Sequence, residues 1–296
     1  MFNGFLGPRS ADYSVSYDSP AMKTDLDKKV VLITGASGGI GSAIARQFAT
    51  EGARLVLHYR EGKARAEALQ HEVKQAESII VKADLTRERE VGRLFDQALG
   101  RFKRVDTLVA NAGSWETADV PLHSMGLGQW RYTIDHVLTS VFLSLREFFK
   151  IIARQKRGNA LLIASTSGVF GEPGHADYSA AKSAMAFGLT RSLKTEIARI
   201  APHTRNYCGG RVNCICPGWT IVPRNASKLG NKDVIRRVAA TMALPKIARP
   251  EDIAGAAVFL SSDSLAGHIS GQTLVIAGGM EGRLLWRPEE IDPDLA

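Results

Sequence analysis

Short apolar runs alternate along the chain with longer segments of helical periodicity. Seven of these runs are rich in Val, Ile and Leu and nearly continuous, as expected of strands that are covered on both faces. They are KVVLI (29–33), RLVLHY (54–59), SIIVKA (78–83), VDTLVA (105–110), NALLIAS (159–165), RVNCIC (211–216) and TLVIAG (273–278). Helical periodicity fills the intervals, for example in GSAIARQFATEG and EDIAGAAVFLSSD. This alternation predicts an α/β fold with right-handed crossovers and a doubly wound parallel sheet of about seven strands.

The strands and helices are expected to form a single domain, residues 28–280, because no Pro- or Ser-rich linker interrupts them. Residues 1–27 are rich in Ser, Asp, Tyr, Gly and Pro without periodicity, which indicates a tail that is disordered or packs on a neighbouring subunit. Residues 219–247 have a mixed pattern and two prolines, and we interpret them as a substrate flap over the active edge of the sheet. Residues 281–296 are interpreted as a C-terminal extension that packs on a partner subunit.

Composition narrows the classes of partner. Lys and Arg number 38 against 30 Asp and Glu, a net charge of +8 that would suit an anionic partner. The basic residues are scattered, however, and no nucleic-acid-binding motif accompanies them, so we interpret the charge as solvated surface and expect no nucleic-acid partner. No apolar run is long enough to span a membrane, and the N-terminus lacks the pattern of a secretory signal. The cytoplasm is the expected compartment.

Cysteine and histidine spacing gives no sign of a metal site. The three cysteines are Cys208, Cys214 and Cys216, and the last two share one face of a predicted strand. Their spacing fits neither a zinc knuckle nor a CxxC pair, so buried reduced thiols are the preferred interpretation. The seven histidines show no HExxH or other ligand spacing, and we therefore predict no metal.

A glycine-rich loop, TGASGGIG (Thr34–Gly41), follows the first predicted strand and opens the first predicted helix. In an open parallel sheet, a dinucleotide pyrophosphate binds at this helix N-terminus. Gly35 would allow the tight turn, Gly39 would let the backbone approach the ligand, and Gly41 would let the helix pack closely. A glycine-rich turn with no ligand is the alternative, but strand, glycines and helix occur in the order that a Rossmann-type nucleotide site requires.

The glycine spacing is TGxxxGxG, and with it the chain resembles the short-chain dehydrogenase/reductase family over roughly residues 28–280. Within that family the closest likeness is to 3-oxoacyl-carrier-protein reductases. The motif Asn111-Ala112-Gly113 resembles the family segment that lines the cofactor cleft, and Cys216-Pro217-Gly218 resembles its turn beside the nicotinamide. The resemblance implies these cofactor-binding residues: Gly35, Ser37, Gly39, Ile40, Gly41, Asp84, Leu85, Asn111, Ala112, Gly113, Tyr178, Lys182, Pro217 and Gly218.

The end of the second strand bears on the choice between NADP and NAD. An acid at this position would bond the ribose of NAD and repel the phosphate of NADP, but the strand ends in His58-Tyr59-Arg60. Arg60 is planar, permanently charged and a multiple donor, which favours NADP(H), with NAD(H) possible. The adjacent Glu61, and Gly38 in place of a basic residue, point the other way.

The proposed catalytic set is Ser165, Tyr178 and Lys182. Tyr178 and Lys182 lie one helical turn apart, a spacing that Tyr59 and Lys63 share, so spacing alone decides nothing. The family interval between its serine and tyrosine is 13 residues, which Ser165 and Tyr178 have and Tyr59 lacks. Lys182 is expected to lower the pKa of Tyr178, the general acid/base, and to hold the ribose of the nicotinamide. Ser165 would orient the substrate oxygen.

The resemblance has one gap, at Val137, where the family has a fourth catalytic residue, an Asn that supports a proton relay. We expect an enzyme that transfers a hydride between NADP(H) and a carbonyl or secondary alcohol. The alternatives are a 3-oxoacyl-carrier-protein reductase specifically, or a cofactor-binding regulatory protein of low activity. Lys156 and Arg199 fall near positions where such reductases present charge to the carrier. The helices around 138–155 and 179–199 are expected to form a homodimer or homotetramer contact.

Overall fold

The computed structural model describes residues 23–226 and 230–280. Its strands are β1 (Val30–Ile33), β2 (Arg54–Tyr59), β3 (Ser78–Lys82), β4 (Thr107–Ala110), β5 (Asn159–Ile163), β6 (Arg211–Pro217) and β7 (Thr273–Ile276). Its helices are α1 (Gly39–Thr50), α2 (Lys63–Glu72), α3 (Glu88–Phe102), α4 (Leu127–Thr133), α5 (Ser140–Gln155), α6 (Ser167–Phe170), α7 (Ala176–Ser183), α8 (Thr190–Ile200), α9 (Lys232–Ala239), α10 (Pro250–Ser261) and α11 (Asp263–Ala266). Wide helical turns at Ile134–Thr139 and Ala184–Leu189 join α4 to α5 and α7 to α8.

The seven strands form one parallel sheet in the order β3-β2-β1-β4-β5-β6-β7. This confirms the predicted Rossmann-type sheet. The chain order reverses between β1 and β4, which are paired in register from Val31 opposite Thr107 to Ile33 opposite Val109. In open α/β sheets, ligands bind beyond the carboxyl ends of the strands at such a reversal. The glycine loop after β1 and Asn111 after β4 meet there.

Both faces of the sheet are buried, which explains why its strands read as continuous apolar runs. Successive side chains of β1 alternate between two cores. Val30 and Leu32 pack with Phe95 of α3 and Phe148 of α5. Val31 and Ile33 pack with Phe48 of α1 on the opposite face, where α10 also contributes. Cys214 and Cys216 both face the first core, as the alternation predicts, and the three cysteines are free thiols.

The described part of the N-terminal tail packs on the domain. Leu26 is fully buried. The Asp25 carboxylate accepts hydrogen bonds from the backbone N–H groups of Asp263 (2.8 Å) and Ser264 (3.2 Å) at the start of α11. The ordered domain therefore includes Lys23–Asp27 as well as the predicted 28–280. Residues 1–22 of the tail, residues 227–229 of the flap and the C-terminal extension 281–296 lie outside the described residues.

The loop 201–210 before β6 has a structural role. The Tyr207 hydroxyl accepts a hydrogen bond from the Gly158 N–H (2.8 Å) and donates one to the Gly158 carbonyl (3.2 Å), which fixes the loop to the turn before β5. Arg211 follows at the start of β6, and its buried guanidinium donates to the carbonyls of Leu260, Ser262 and Ala266. The loop and α10 are thereby joined at the amino edge of the sheet. No helix in the described residues is long and apolar enough to cross a membrane.

Candidate functional site

The glycine loop packs too tightly for a side chain at several positions, including Gly35 and Gly41. Gly35 has a positive φ of 64°, and a Cβ there would lie 3.0 Å from Ala112 Cα. A Cβ on Gly41 would lie 2.8 Å from the Asn111 side-chain nitrogen. Gly38 and Gly39, at the start of α1, line a cavity. Helix N-termini of this kind bind phosphates.

Thr34 and Asn111 connect the loops after β1 and β4. The Asn111 side-chain amide donates to the carbonyls of Thr34 (3.0 Å) and Gly35 (3.2 Å). In return, the Thr34 hydroxyl accepts from the backbone N–H groups of Asn111 (2.9 Å) and Ala112 (3.0 Å). These four bonds hold the reversal point of the sheet in one geometry.

His58 at the end of β2 supports the same loop from the other side. Its Nδ1 accepts the Gly35 N–H at 3.0 Å, so its Nε2 carries the proton and donates to the Ala83 carbonyl, also at 3.0 Å. The ring is 2% exposed. Burial lowers the pKa of His58 from 6.5 to about 4, although the Ala83 bond and the Asp84 charge oppose it. His58 is therefore neutral at physiological pH, and sequence reasoning assigned it no role.

A cavity of about 570 Å³ lies over the glycine loop. Eleven of the predicted cofactor-binding residues line it: Gly35, Ser37, Gly39, Ile40, Gly41, Arg60, Asp84, Leu85, Asn111, Ala112 and Gly113. Tyr178, Pro217 and Gly218 line a second cavity instead, and Lys182 lines neither. The first cavity therefore collects the glycine loop, the end of β2 and the loop after β4 around one space.

Two arginines border the first cavity beyond β2. The Arg60 side chain is about one-third exposed and pairs with Glu61 at 3.4 Å. Arg65 on α2 also lines the cavity and was missed, because nothing in its local pattern separates it from a solvated helix residue. Asp84 has other partners: its carboxylate accepts two hydrogen bonds from Thr86. Burial raises the pKa of Asp84, but the Thr86 bonds and nearby arginines outweigh burial and lower the pKa.

Tyr178 is held on α7 by the buried carboxylate that precedes it. Asp177 accepts the Tyr178 N–H (2.8 Å) on one oxygen and the Thr133 hydroxyl (2.6 Å) on the other. Ser165 stands just beyond the carboxyl end of β5 and lines the same cavity as Tyr178. The structure thus brings Ser165 and Tyr178 together as predicted. By contrast, Tyr59 lies in a strand and Lys63 begins α2, so the second Tyr-Lys pair is unrelated to any site.

The pKa of Tyr178 is not lowered as expected from the nearby Lys182. The Lys182 ammonium donates to the Ile163 carbonyl at 2.7 Å and lies 5.7 Å from the centroid of the Tyr178 ring. Burial raises the pKa of Tyr178 above its usual 10.0, with the Ser165 bond and the Arg224 charge acting against it and Glu172 adding to it. The expected lowering of the Tyr178 pKa by Lys182 is therefore wrong for this structure. Burial also lowers the pKa of Lys182, to about 8.

Val137 is fully buried beside the ammonium of Lys182. A Cβ placed on Gly113 would lie 3.7 Å from Val137 and 3.9 Å from Lys182 Nζ, so both side chains flank the same glycine. Val137 belongs to the wide turn Ile134–Thr139. An apolar side chain thus stands where the resemblance expects an amide.

The second cavity, about 260 Å³, lies beside Ser165 and Tyr178. Its walls include Trp115, Trp219, Glu172, His175 and Arg224. The Trp115 ring stacks on the Tyr178 ring, with centroids 4.1 Å apart. Ile40, Trp115, Val222 and Arg224 line both cavities, so they form the boundary between the first cavity and the one that contains Tyr178. Sequence reasoning missed Trp115 and Arg224, which have no motif of their own.

Lys156 and Arg199 lie at the opposite edge of the sheet from the residues that line both cavities. Lys156 ends α5 just before β5 begins, and Arg199 is in the last turn of α8, before the loop into β6. Both are therefore at the amino edge of the sheet, whereas the two cavities are at its carboxyl edge. Among the residues that the structure describes, no cluster of His, Cys, Asp and Glu could hold a metal ion.

Comparison with known proteins agrees with the geometry. A family model described as Enoyl-(Acyl carrier protein) reductase matches residues 35–281. A 3-oxoacyl-[acyl-carrier-protein] reductase from Synechocystis sp. is 36% identical over 259 residues, which is 87% of this chain and 98% of the relative. An acetoacetyl-CoA reductase from Acinetobacter sp. is 35% identical over 257 residues, covering 86% and 98%. The crystal structure of levodione reductase superimposes with a TM-score of 0.77 at 29% identity, covering 86% of this chain and 97% of the other.

Proposed function

The chain belongs to the short-chain dehydrogenase/reductase family, and from that premise we propose that Tyr178 is the general acid/base of its reaction. The protein is an NAD(P)-dependent oxidoreductase that transfers a hydride between the cofactor and a carbonyl or alcohol group. When bound, the nicotinamide supplies or accepts the hydride. The observation that carries the assignment to Tyr178 is that it and Ser165 line the same cavity.

In the reduction, the Ser165 hydroxyl donates a hydrogen bond to the substrate carbonyl oxygen and Tyr178 gives that oxygen its proton. The phenol of Tyr178 is protonated at neutral pH and can give a proton, but its raised pKa makes it a weaker acid than a general acid with a pKa near the working pH. The Lys182 ammonium, fixed on the Ile163 carbonyl, is the nearby cation that would hold the ribose hydroxyls. Trp115 covers the Tyr178 ring and excludes water from it.

The test is the loss of NADPH absorbance with a panel of ketones, β-ketoesters and acyl thioesters. Removing a general acid typically lowers turnover by about 10²- to 10⁴-fold, and we expect this for Tyr178→Phe. Tyr59→Phe is the matched control, because it removes a hydroxyl from the other tyrosine that stands four residues before a lysine. Equal turnover by wild type and Tyr178→Phe would remove the proposed role. The alternative of a regulatory protein of low activity, raised by Val137, would be supported if no substrate gave turnover.

We propose NADP(H) as the preferred cofactor. Arg60 and Arg65 supply two permanent charges at the end of the first cavity near β2, where a 2′-phosphate would lie. Arg60→Ala and Arg65→Ala should each weaken NADPH binding by about 10- to 100-fold, the range of a charge-assisted hydrogen bond, and leave NADH binding unchanged. Lys63→Ala is a control for general loss of charge, since Lys63 is exposed and pairs with Glu67. Equal losses for both cofactors would contradict the proposal.

A carrier protein is a second candidate substrate, favoured by the 36% identity to the Synechocystis sp. reductase. Against it, Lys156 and Arg199 are at the edge of the sheet opposite to the catalytic cavity. Comparing the same 3-oxoacyl group on a carrier protein and on a small thiol distinguishes the two. A carrier-dependent gain that Lys156→Ala abolishes would favour the carrier assignment.

We also propose a homo-oligomer, a dimer or tetramer, in the cytoplasm. Phe142 of α5 is 48% exposed and Leu127 of α4 is 60% exposed, apolar surface that a subunit contact would bury. Sedimentation equilibrium measures the assembly directly, and a monomer at micromolar concentration would contradict it. The cytoplasmic location stays a prediction from the sequence.

A further inference from the structure

Arg224, in the flap, is the outermost of three stacked planar groups. Its guanidinium carbon lies 3.8 Å from the centroid of the Trp115 ring, and the Trp115 ring lies 4.1 Å from that of Tyr178. The guanidinium is therefore no farther than two stacking distances from the proposed proton donor. A hydrogen bond from Arg224 Nη2 to the Trp115 carbonyl, 2.8 Å long, fixes this position.

The positive charge of Arg224 has no anionic partner among the residues that the structure describes. No carboxylate oxygen in residues 23–226 and 230–280 lies within 4.0 Å of its guanidinium, whereas Arg211 and Arg146 each pair with an acid. The nearby Glu116 is engaged elsewhere, because one carboxylate oxygen accepts the N–H groups of Thr117 (2.7 Å) and Ala118 (3.1 Å). Of the five N–H donors that an arginine carries, most remain available to a ligand in the cavities that Arg224 lines.

We propose that Arg224 binds an anionic oxygen group and that the substrate carries this group close to its carbonyl, as a keto acid does. The inference rests on the proposed function. Arg224 borders both cavities, so a cofactor phosphate is a second source of the same chemistry. The stack on Trp115 favours the substrate, because it holds the guanidinium no farther than two stacking distances from the Tyr178 ring.

The size and charge of the second cavity agree with a small acidic substrate. Its volume of about 260 Å³ is below the range of roughly 300–1,000 Å³ for sites of drug-sized ligands, which suits a compact keto acid. The positive charge of Arg224 on the cavity wall favours an orientation with the carboxylate of the substrate at Arg224. Arginine binds carboxylates with two parallel hydrogen bonds, which positions the neighbouring carbonyl.

The proposed reaction consumes one hydride and one proton. A hydride from NADPH would add to the carbonyl carbon as the carbonyl π bond breaks, and Tyr178 gives its proton to the oxygen. The Tyr178 phenolate then takes a proton from water, so that a hydroxy acid and NADP⁺ form and the phenol is restored. The carboxylate keeps its charge throughout and serves only as the group by which Arg224 orients the substrate.

The experiment compares a 3-oxo acid with its ethyl ester, which presents the same carbonyl without the charge. For the wild type we expect kcat/KM to be at least about tenfold higher for the acid, from one charge-assisted interaction. Arg224→Gln should lose this preference through a higher KM for the acid, and Arg224→Lys should keep part of it. Arg205→Gln is the matched control, an exposed arginine in the loop before β6 at the opposite edge of the sheet. Equal use of acid and ester by the wild type overturns the proposal.

Two further measurements are needed. One distinguishes a substrate carboxylate from a cofactor phosphate as the ligand of Arg224, and the other distinguishes failure of this inference from failure of the proposed function. If Arg224 serves a cofactor phosphate, Arg224→Gln raises the KM for NADPH equally with acid and ester, which overturns the assignment to the substrate. Binding of a 3-hydroxy acid, followed by quenching of tryptophan fluorescence in the presence of NADP⁺, needs no turnover. A protein that binds the acid through Arg224 but reduces nothing contradicts the proposed function and supports the inference. Binding that Arg224→Gln leaves unchanged overturns the inference alone.

Discussion

His58 links the end of β2 to the glycine loop, so its replacement tests whether that loop is held by a neutral imidazole. In His58→Ala, the Gly35 N–H and the Ala83 carbonyl lose partners that are each 3.0 Å away. An unsatisfied buried backbone group costs about 1–3 kcal/mol, so the substitution should destabilise the fold by about 2–6 kcal/mol. Because Gly35 lies in the proposed pyrophosphate site, NADPH binding should weaken as well.

The pH dependence gives a sharper test. The folded protein holds the pKa of His58 at about 4, below the ordinary 6.5. Between these values the unfolded chain binds a proton that the folded chain does not, so stability is complete above pH 6.5 and is lost as the pH falls towards 4. One pKa unit corresponds to 1.36 kcal/mol, which gives a loss of about 2 kcal/mol at a pH of about 5 and about 3 kcal/mol for the full shift.

The assay is urea unfolding of wild type and His58→Gln at a pH of about 7.5 and of about 5, at one fixed protein concentration. A glutamine amide accepts and donates hydrogen bonds but does not titrate in this range. The advantage of wild type over His58→Gln should therefore shrink by about 2 kcal/mol at the lower pH. His71→Gln, on the exposed face of α2, should show no such change. Parallel pH curves for wild type and His58→Gln would refute the reasoning.

Three further substitutions probe other parts of the fold. Arg211→Met removes the guanidinium bonds to the carbonyls of Leu260 and Ala266, which each keep one other donor, so urea unfolding should show a loss of about 1–3 kcal/mol. Gly41→Ala, whose Cβ would lie 2.8 Å from the Asn111 amide, should weaken NADPH binding at least about tenfold by fluorescence titration, and unchanged binding would contradict the packing. The pKa of Lys182 is about 8 in the folded protein and 10.5 in the unfolded chain, so between these pH values the unfolded chain binds more protons. The free energy of unfolding of the wild type should therefore rise as the pH rises from about 8 to about 10.5. Lys182→Met should show no such rise and should also lose turnover.

Local hydrophobic patterns predicted the strands of the sheet, because a strand that is buried on both faces has a nearly continuous apolar run in the sequence. The run RLVLHY became β2 at Arg54–Tyr59 without a shift at either end, since all its positions after Arg54 are buried. Other runs were predicted one or two residues too long, as with VDTLVA, where β4 begins only at Thr107. Asp106 instead accepts the backbone N–H of Val30 at 2.9 Å, a contact between distant segments that no local pattern contains.

The properties of the predicted site also fall into two groups, those that local motifs determine and those that depend on distant contacts. Residues in motifs of fixed spacing, such as Gly35 in the glycine loop and Asn111 after β4, line the first cavity because a single turn determines their positions. Their roles as cofactor ligands stay predictions. The sign of the Tyr178 pKa shift was predicted wrongly, because spacing places Lys182 on the same helix face but does not report burial or the Ile163 carbonyl that binds it.

The sequence by itself determined the alternation of strands and helices, the glycine loop at the start of α1 and the tyrosine thirteen residues after Ser165. Each of these depends on neighbours along the chain, whose geometry is fixed by residue type and spacing. Only the tertiary structure decided that His58 supports Gly35, that Arg65 joins Arg60 and that Arg224 stacks over Trp115 beside the proposed proton donor. These contacts join segments far apart in the chain, so their energy depends on burial and charge that exist only once the sheet has formed.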